Sequence, residues 1–164
     1  MKKTLSITSK AALFITLMGV VAWITGNFFI FPSLGPTAYI LAFDNKISHS
    51  ASVVIGGHAC GVIGGLAAYY LIADPYNLLM LTEAFSFAGF YLGLGSITAV
   101  SITTFLMIWF NVSHPPACAT TLIISLGILP TWFDGLIIII AVAVLYLGYR
   151  TFQKLKPEPE TTLG

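Results

Sequence analysis

The sequence predicts an all-α membrane protein with four long transmembrane helices and two short helices broken by proline. The 164 residues are 57% hydrophobic and only 8% charged, with a mean hydropathy of +0.94, whereas a soluble domain carries about 25% charged residues. Four runs contain no Asp, Glu, Lys or Arg: 11–43, 51–73, 84–133 and 135–149. Prolines interrupt the two longest of them, 11–43 and 84–133. Because a crossing needs about 20 apolar residues, the chain has room for roughly four to six crossings.

The first run divides into a span, a break and a short helix. Span 11–30 is followed by F-P-S-L-G-P-T at 31–37, where proline removes a backbone donor and disfavours helix at the preceding residue. The short piece 36–43 comes next, and 51–73 is the second long span. The basic N-terminus imitates a secretory signal, but the long apolar run lacks a cleavage motif, so 11–30 is expected to stay in the mature protein.

The second half repeats the order of these parts. It consists of a span at about 89–110, a break with S-H-P-P at 113–116, a short piece at 117–128 and a span at 134–150. Sliding the chain by 83 residues places Pro32 on Pro115, so the halves 11–73 and 89–150 suggest a 3+3 inverted repeat within one domain, 1–164. The alternative is that any small helical membrane protein broken by prolines aligns at some offset.

The basic residues lie mainly at the two ends of the chain, at Lys2, Lys3, Lys10, Arg150, Lys154 and Lys156. They predict a multi-pass protein of the plasma (inner) membrane with both termini in the cytoplasm and an even number of crossings. Six crossings place Lys46 inside and Glu83 outside. Four crossings with two re-entrant pieces are the alternative, since the short pieces have only about 8 and 12 apolar residues. The tail 157–164 is predicted to be disordered.

Both proline motifs predict helix N-termini at membrane depth, where freed backbone must be buried in protein or face water. A helix that begins near Pro115 would attract an anion with its free amides and positive dipole end, and G-P-T at 35–37 offers the same arrangement. Simple kinks in long helices are the alternative. The candidate substrate-binding residues are Ser33, Gly35, Pro36, Thr37, His58, Ser113, His114, Pro115, Pro116 and Thr120.

His58, in G-G-H-A-C-G, and His114 are both expected near membrane depth. An intramembrane histidine indicates a functional site, because it can donate to an anion or couple a proton. A hydrogen-bonded histidine between two helices is an equal alternative. No span contains a charged residue until its ends at Asp134 and Arg150, which weighs against a sodium or metal carrier and favours small anions or neutral solutes.

Several functional classes have no support in the sequence. No metal-ligand cluster, phosphate loop or nucleophile with an oriented base is present, so we expect no enzymatic activity, no cofactor and no metal. No basic patch suggests nucleic acid. Cys60 and Cys118 lie in apolar stretches and are interpreted as small buried residues.

Small residues form two stripes along 51–73. Gly57, Gly61 and Gly65 form the first stripe, and Ser52, Gly56, Cys60, Gly64 and Ala68 form the second. Small stripes let helices pack closely, so 51–73 is predicted to be the centre of the fold or a subunit interface. Because the chain is small for a transporter, we expect a homo-oligomer built through this helix in the lipid bilayer.

Three motifs together resemble the HPP family of integral membrane proteins, which is named for its His-Pro-Pro. They are F-P-S-L-G-P-T-A at 31–38, G-G-H at 56–58 and H-P-P-A-C-A-T at 114–120. The resemblance covers roughly 11–150, and Cys118 departs by one small residue from the usual H-P-P-A-G-A. It implies a multi-span membrane protein linked to transport, with plant plastid and cyanobacterial relatives linked to nitrite.

We therefore expect membrane transport of a small inorganic anion such as nitrite, through a site at the N-termini of two half-helices. A non-transporting membrane scaffold is one alternative. A passive pore for a neutral solute is the other, since facing half-helices also suit that purpose.

Overall fold

The computed structural model of the protein describes residues 1–43, 50–80 and 83–154, with only the backbone of Lys2 and Lys3. Within these residues the chain forms six α-helices and no strand. The helices are α1 (Lys2–Thr25), α2 (Ile30–Phe43), α3 (Ala51–Ala68), α4 (Phe87–Trp109), α5 (Ala117–Ser125) and α6 (Trp132–Lys154). A π-helical turn, Tyr69–Ala73, extends α3. Lys46, Lys156 and the predicted tail 157–164 lie outside the described residues.

Four helices are long and apolar enough to cross a membrane: Thr4–Thr25, Ala51–Ala73, Phe87–Trp109 and Trp132–Lys154. The other two are short, with 14 residues in α2 and nine in α5. At about 1.5 Å per residue they span roughly 21 and 14 Å, which is less than the hydrocarbon thickness of about 30 Å. The predicted all-α fold, with four long spans and two short helices, is confirmed.

The first break lies earlier in the chain than predicted. Helix α1 ends at Gly26, which has a φ of 72° in the left-handed region, a common helix terminator because glycine adopts it without strain. Helix α2 begins at Ile30, so Pro32 lies in its first turn and Pro36 lies inside it. The prediction of a break at 31–37 is therefore wrong, since a proline in the first turn needs no intrahelical donor.

The second break lies where the sequence predicts it. Helix α4 ends at Trp109, residues 110–116 are not helical, and α5 begins directly after Pro115 and Pro116. Its end comes three residues earlier than the predicted 128, because Gly127 adopts a φ of 70° just beyond Ser125.

The start of α1 and the end of α6 lie side by side. The Lys10 ammonium is 5.4 Å from the centre of the Phe152 ring. At the other end of the same two helices, the Asn27 amide donates to the Asp134 carboxylate over 3.2 Å. We call the Lys10 and Phe152 end the terminal face and the Asn27 and Asp134 end the opposite face. The start of α1 and the end of α6 thus share one face of the bundle.

Helix α2 runs from the opposite face back towards the terminal face. Helix α3 begins at the terminal face, where Ser50 shares a surface cleft with Arg150. Ser33 of α2 lies beside Thr120, which faces Gly61 of α3, whereas Thr37 lies beside His58. Later residues of α2 therefore lie beside earlier residues of α3, so the two helices are antiparallel.

Helices α4 and α5 continue this alternation. Gly95, in the first half of α4, lies against Ala73 of the π-helical turn that extends α3. After α4, Val112 lies against Gly56 near the start of α3. Helix α5 then runs parallel to α3, and its Ile124 packs against Gly65. All six helices alternate in direction, so each half of the chain traverses the bundle three times. This route agrees with the version that has six crossings.

The set of helix pairs that pack together is unchanged when the two halves are exchanged. The exchange replaces α1 by α4, α2 by α5 and α3 by α6, and the reverse. It converts the packed pairs α1–α2, α1–α6 and α2–α6 into α4–α5, α4–α3 and α5–α3, which also pack together. The packed pairs α2–α5 and α3–α6 are converted into themselves. The halves therefore use the same packing scheme, as expected of two similar units.

Reporter fusions at the positions of Lys46 and Glu83 are expected to report opposite sides of the membrane. Phe43 and Ser50 flank the first position at the terminal face, whereas Glu83 follows the end of α3 at the opposite face. Fusions at the two chain termini serve as controls and are expected to match the fusion at Lys46. Matching sidedness of Lys46 and Glu83 would contradict the alternation of the six helices.

The glycines of α3 are covered by α4 and α5. A Cβ added to Gly57, Gly61 or Gly65 would lie 2.5 Å from His114 Cβ, 2.9 Å from the Ala117 carbonyl oxygen and 2.8 Å from Ile124 Cβ, respectively. A Cβ on Gly64 would overlap Thr103 of α4. The interpretation of α3 as the centre of the fold is thus confirmed. A homo-oligomer stays a prediction, and these glycine faces are already occupied within one chain.

Candidate functional site

Five polar side chains meet in the centre of the bundle. Ser33 and Thr37 come from α2, His58 from α3, His114 from the break before α5, and Thr120 from α5. Four of them have no exposed surface, and His114 is 3% exposed. We call these five residues the polar chain, because their hydrogen bonds join them in one line.

His58 occupies the middle of the polar chain. Its Nδ1 lies 2.8 Å from Thr120 Oγ1, and its Nε2 lies 2.8 Å from Thr37 Oγ1. Thr120 Oγ1 is also 2.7 Å from Ser33 Oγ, and Thr37 Oγ1 is 3.1 Å from His114 Nε2. Both imidazole nitrogens of His58 are therefore engaged by hydroxyl groups that can donate or accept.

Local structure explains how these side chains converge. Ser33 and Thr37 are four residues apart and thus lie on one face of α2. Gly57 lets the break before α5 approach α3 closely enough for the His58 and His114 rings to lie 5.4 Å apart. Thr120 is in the first turn of α5. The residue types that the sequence singled out thus come together through close backbone packing.

Three of the four hydrogen bonds in the polar chain join the two halves of the protein. Only the bond between Thr37 and His58 lies within the first half. Thr37 and Thr120 are also 83 residues apart, the offset that aligns Pro32 with Pro115. His58 therefore lies between threonines at equivalent positions of the two halves.

The helix ends offer no free amides of the kind that the sequence analysis expected. At the start of α5, the amides of 117, 118 and 119 each donate to a carbonyl three residues earlier, and the two prolines before them have no amide. At the start of α2, the amides of Ile30, Phe31 and Ser33 donate to the carbonyls of Asn27, Phe28 and Phe29. The expectation of free helix-end amides is therefore wrong, and the polar groups that meet in the centre of the bundle are hydroxyls and imidazoles.

The other predicted site residues lie outside the polar chain. Pro36, Ser113 and Pro115 are exposed, Gly35 is half-buried, and Pro116 is buried at the start of α5. G-P-T at 35–37 also lies inside α2 rather than at its N-terminus, so Thr37 alone of these three residues reaches the centre.

A second group of hydroxyls joins α4 to α5. Thr103 Oγ1 lies 3.0 Å from Thr121 Oγ1, and Ser96 Oγ lies 3.4 Å from Ser125 Oγ. The sequence predicted no specific role for any of these four hydroxyls. The adjacent threonines at 120 and 121 indicate hydroxyl contacts with two different helices, because neighbouring helix positions point about 100° apart.

Charged groups stay at the ends of the bundle. Lys10 and Arg150 lie towards the terminal face, and Asp134 lies at the opposite face. Among the described residues no group of three or more His, Cys, Asp or Glu side chains could hold a metal ion. The chemistry available to the polar chain is thus hydrogen bonding and the uptake or release of a proton.

A family model described as HPP, transmembrane region, matches residues 1–156. No curated protein and no solved structure matches the chain. The matched residues include all six helices, both proline motifs and the five members of the polar chain.

Proposed function

Because the chain belongs to the HPP family of transmembrane proteins, we propose that it carries a small inorganic anion such as nitrite across the plasma (inner) membrane. One observation carries the proposal: a line of five buried polar side chains at the junction of two similar halves. Polar residues are costly at membrane depth and usually mark a pathway or relay. The other buried hydroxyls, Thr103, Thr121 and Ser125, join α4 to α5 within the second half, whereas the polar chain joins the two halves.

The polar chain supplies the donors that a small anion needs. Nitrite presents acceptor atoms, and hydroxyl or imidazole N–H groups of Thr37, Thr120 and His58 can donate to them. In the structure these groups bond to one another. Binding therefore requires the two halves to separate and the three bonds between them to break.

An inverted repeat would suit this separation, and we include it in the proposal. Each half contains three helices of alternating direction, and the halves share one packing scheme. In transporters of this kind the substrate lies near the midplane between the repeats, and rocking of one repeat against the other gives alternating access. Ser33 with Thr120, and Thr37 with His114, would be the contacts that open and close.

Two other functions each have an observation in their favour. The engaged helix-end amides favour a passive pore for a neutral solute, as does the absence of a fixed cation beside the polar chain among the residues that the structure describes. The complete internal hydrogen bonding of His58 favours a non-transporting scaffold. Purified protein in liposomes separates the three: nitrite uptake supports the proposal, solute flux insensitive to charge supports the pore, and no flux under any gradient supports the scaffold.

Replacing His114 by glutamine is expected to lower nitrite uptake by about tenfold, equivalent to about 1.4 kcal/mol of barrier. His114 makes one of the three bonds between the halves, and glutamine replaces its rigid ring with a flexible chain that costs more entropy to hold in place. Initial uptake into proteoliposomes, corrected for protein-free liposomes, is the measurement. His49→Gln is the matched control, because it makes the same substitution at a histidine that is not a member of the polar chain. Equal uptake by both variants would contradict the role of His114.

A further inference from the structure

An anion in the polar chain would have no fixed positive charge beside it. The charged side chains that the structure describes lie near the bundle ends. Lys10, Arg150 and Lys154 are towards the terminal face, and Asp74, Glu83 and Asp134 are towards the opposite face. The α5 amides donate to backbone carbonyls and so have no free proton for a ligand. Because a lone ion in a medium of low dielectric is strongly unfavourable, the anion must bring or find a compensating charge.

His58 is placed to hold that charge as a bound proton. When both of its nitrogens carry a proton, both must donate, and each lies 2.8 Å from a threonine hydroxyl that can accept. Thr37 can then turn its own proton towards His114, and Thr120 can turn its proton towards Ser33. The polar chain thus accommodates a protonated His58 without losing one hydrogen bond.

We infer that each anion is accompanied by one proton held on His58, so that the protein is an electroneutral proton–anion symporter. This inference rests on the proposed function and names a second transported species for the same site. The bound pair carries no net charge into the apolar bundle, so the anion is not buried as a lone, uncompensated ion.

The neutral polar chain also links the proton positions of its two histidines. If His58 carries its proton on Nε2, it donates to the Thr37 hydroxyl. Thr37 must then donate its own proton to His114 Nε2. His114 therefore carries its proton on Nδ1. If His58 carries its proton on Nδ1, Thr37 donates to His58 Nε2 and accepts from His114 Nε2. The two rings therefore hold their protons on opposite nitrogens, since each hydroxyl has a single proton.

This linkage gives a balanced route for the proton. When His114 carries a proton on each ring nitrogen, its Nε2 passes one proton to Thr37 Oγ1 while Thr37 passes its own to His58 Nε2. His114 is then neutral with its proton on Nδ1, and His58 holds two protons. Thr37 gains one proton and loses one, so the net change is one proton moved from His114 to His58.

The surroundings of His58 leave the histidines as the groups that respond to pH. Helix α2 presents Ser33 and Thr37, and α5 presents Thr120, none of which titrates in the ordinary range. The break before α5 presents His114, whose ring lies 5.4 Å away. The thiols of Cys60 and Cys118 belong to a separate apolar cluster with Met107 of α4, and α6 contributes the buried Ala141 and Val142 to the core.

Nitrite uptake and internal pH, measured together in proteoliposomes, test the inference. At alkaline pH, where nitrite is almost entirely ionised, wild-type uptake above that of protein-free liposomes should acidify the interior by one proton per nitrite. An inward proton gradient should accelerate uptake, and a potassium diffusion potential set with valinomycin should not. In His58→Gln, which keeps one donor and one acceptor but cannot be protonated, the acceleration by the proton gradient should disappear. His49→Gln should behave as the wild type does.

The outcomes separate this inference from the proposed function. Nitrite uptake that causes no acidification and responds to the membrane potential overturns the symport and leaves anion transport standing. No uptake of nitrite under any gradient, by protein that remains folded in the liposomes, overturns the proposed function and the symport with it.

Nitrogen-15 NMR of the histidine rings gives a second measurement that does not depend on flux. In His49→Gln protein, whose two remaining histidines are His58 and His114, the rings should carry their protons on opposite nitrogens. Thr37→Val should remove this correlation while the bond of His58 to Thr120 persists. Protons on the same nitrogen of both rings in the unmodified polar chain would overturn the linkage.

Discussion

Replacing Gly65 by leucine is expected to prevent most of the protein from folding. A Cβ at this position would lie 2.8 Å from Ile124 Cβ and 3.0 Å from the Thr121 carbonyl oxygen. Overpacking usually costs about 1–3 kcal/mol, and we expect about 3 kcal/mol or more here because a helix backbone cannot move aside as a flexible side chain can. The folded fraction in detergent, measured by size-exclusion chromatography and thermal unfolding, is the readout.

Gly93→Leu is the matched control for this change. Gly93 is also inside a transmembrane helix, but it is exposed and a Cβ there would meet nothing within 4 Å. The control should therefore fold as the wild type does. If Gly65→Leu were as stable as Gly93→Leu, α5 could not pack against α3 as closely as the structure describes.

Replacing Thr120 by valine is expected to lower nitrite uptake by about a hundredfold, equivalent to about 2.7 kcal/mol of barrier. Valine keeps the shape of threonine but removes the hydroxyl that binds both Ser33 and His58, and both of these bonds join the two halves. The free energy of unfolding should fall by only about 1–2 kcal/mol, since interhelical hydrogen bonds in membranes average about 0.6 kcal/mol.

Thr120→Ser separates the hydroxyl from the rest of the side chain. Serine restores the donor and acceptor, so uptake should recover to within about threefold of the wild type, a barrier difference of less than about 1 kcal/mol. Uptake and unfolding by denaturant should be measured on the same preparations. If Thr120→Val lost stability but transported nitrite normally, the polar chain would be a structural element only.

The sequence predicted the long helices well because the physical signal is strong and local. Runs without charge have to cross the bilayer, and the helix beginning after Pro115 and Pro116 follows from the tolerance of proline in a first turn. The small stripe in 51–73 also identified the central helix. Each of these inferences depends on residues that are neighbours along one helix.

The first break was misplaced because two signals competed. Pro32 and Pro36 suggested a break at 31–37, whereas T-G-N at 25–27 carried the glycine that ends α1 in the left-handed conformation. A proline in the first turn is compatible with helix, and Pro36 is accommodated inside α2 on its exposed side. Giving the C-terminal glycine more weight would have placed the break correctly.

The members of the polar chain could be predicted, but their partners could not. Ser33, Thr37, His58, His114 and Thr120 were all candidates, and the structure brings them together. Which nitrogen faces which threonine depends on how α2, α3 and α5 pack, and that arrangement joins residues up to 87 positions apart. The sequence also suggested free helix-end amides, which the turns before α2 and α5 have already engaged.

The groups that would bind a solute are the same groups that hold the two halves together. A solute therefore competes with the protein's own closure for the hydroxyls of Thr37 and Thr120. Its apparent dissociation constant equals the intrinsic value divided by the fraction of molecules that are open. Weak apparent affinity and a low leak of ions through the empty protein would then have one common cause. A change that loosens the closure but keeps the hydroxyls of Thr37 and Thr120 should raise both the apparent affinity and the leak.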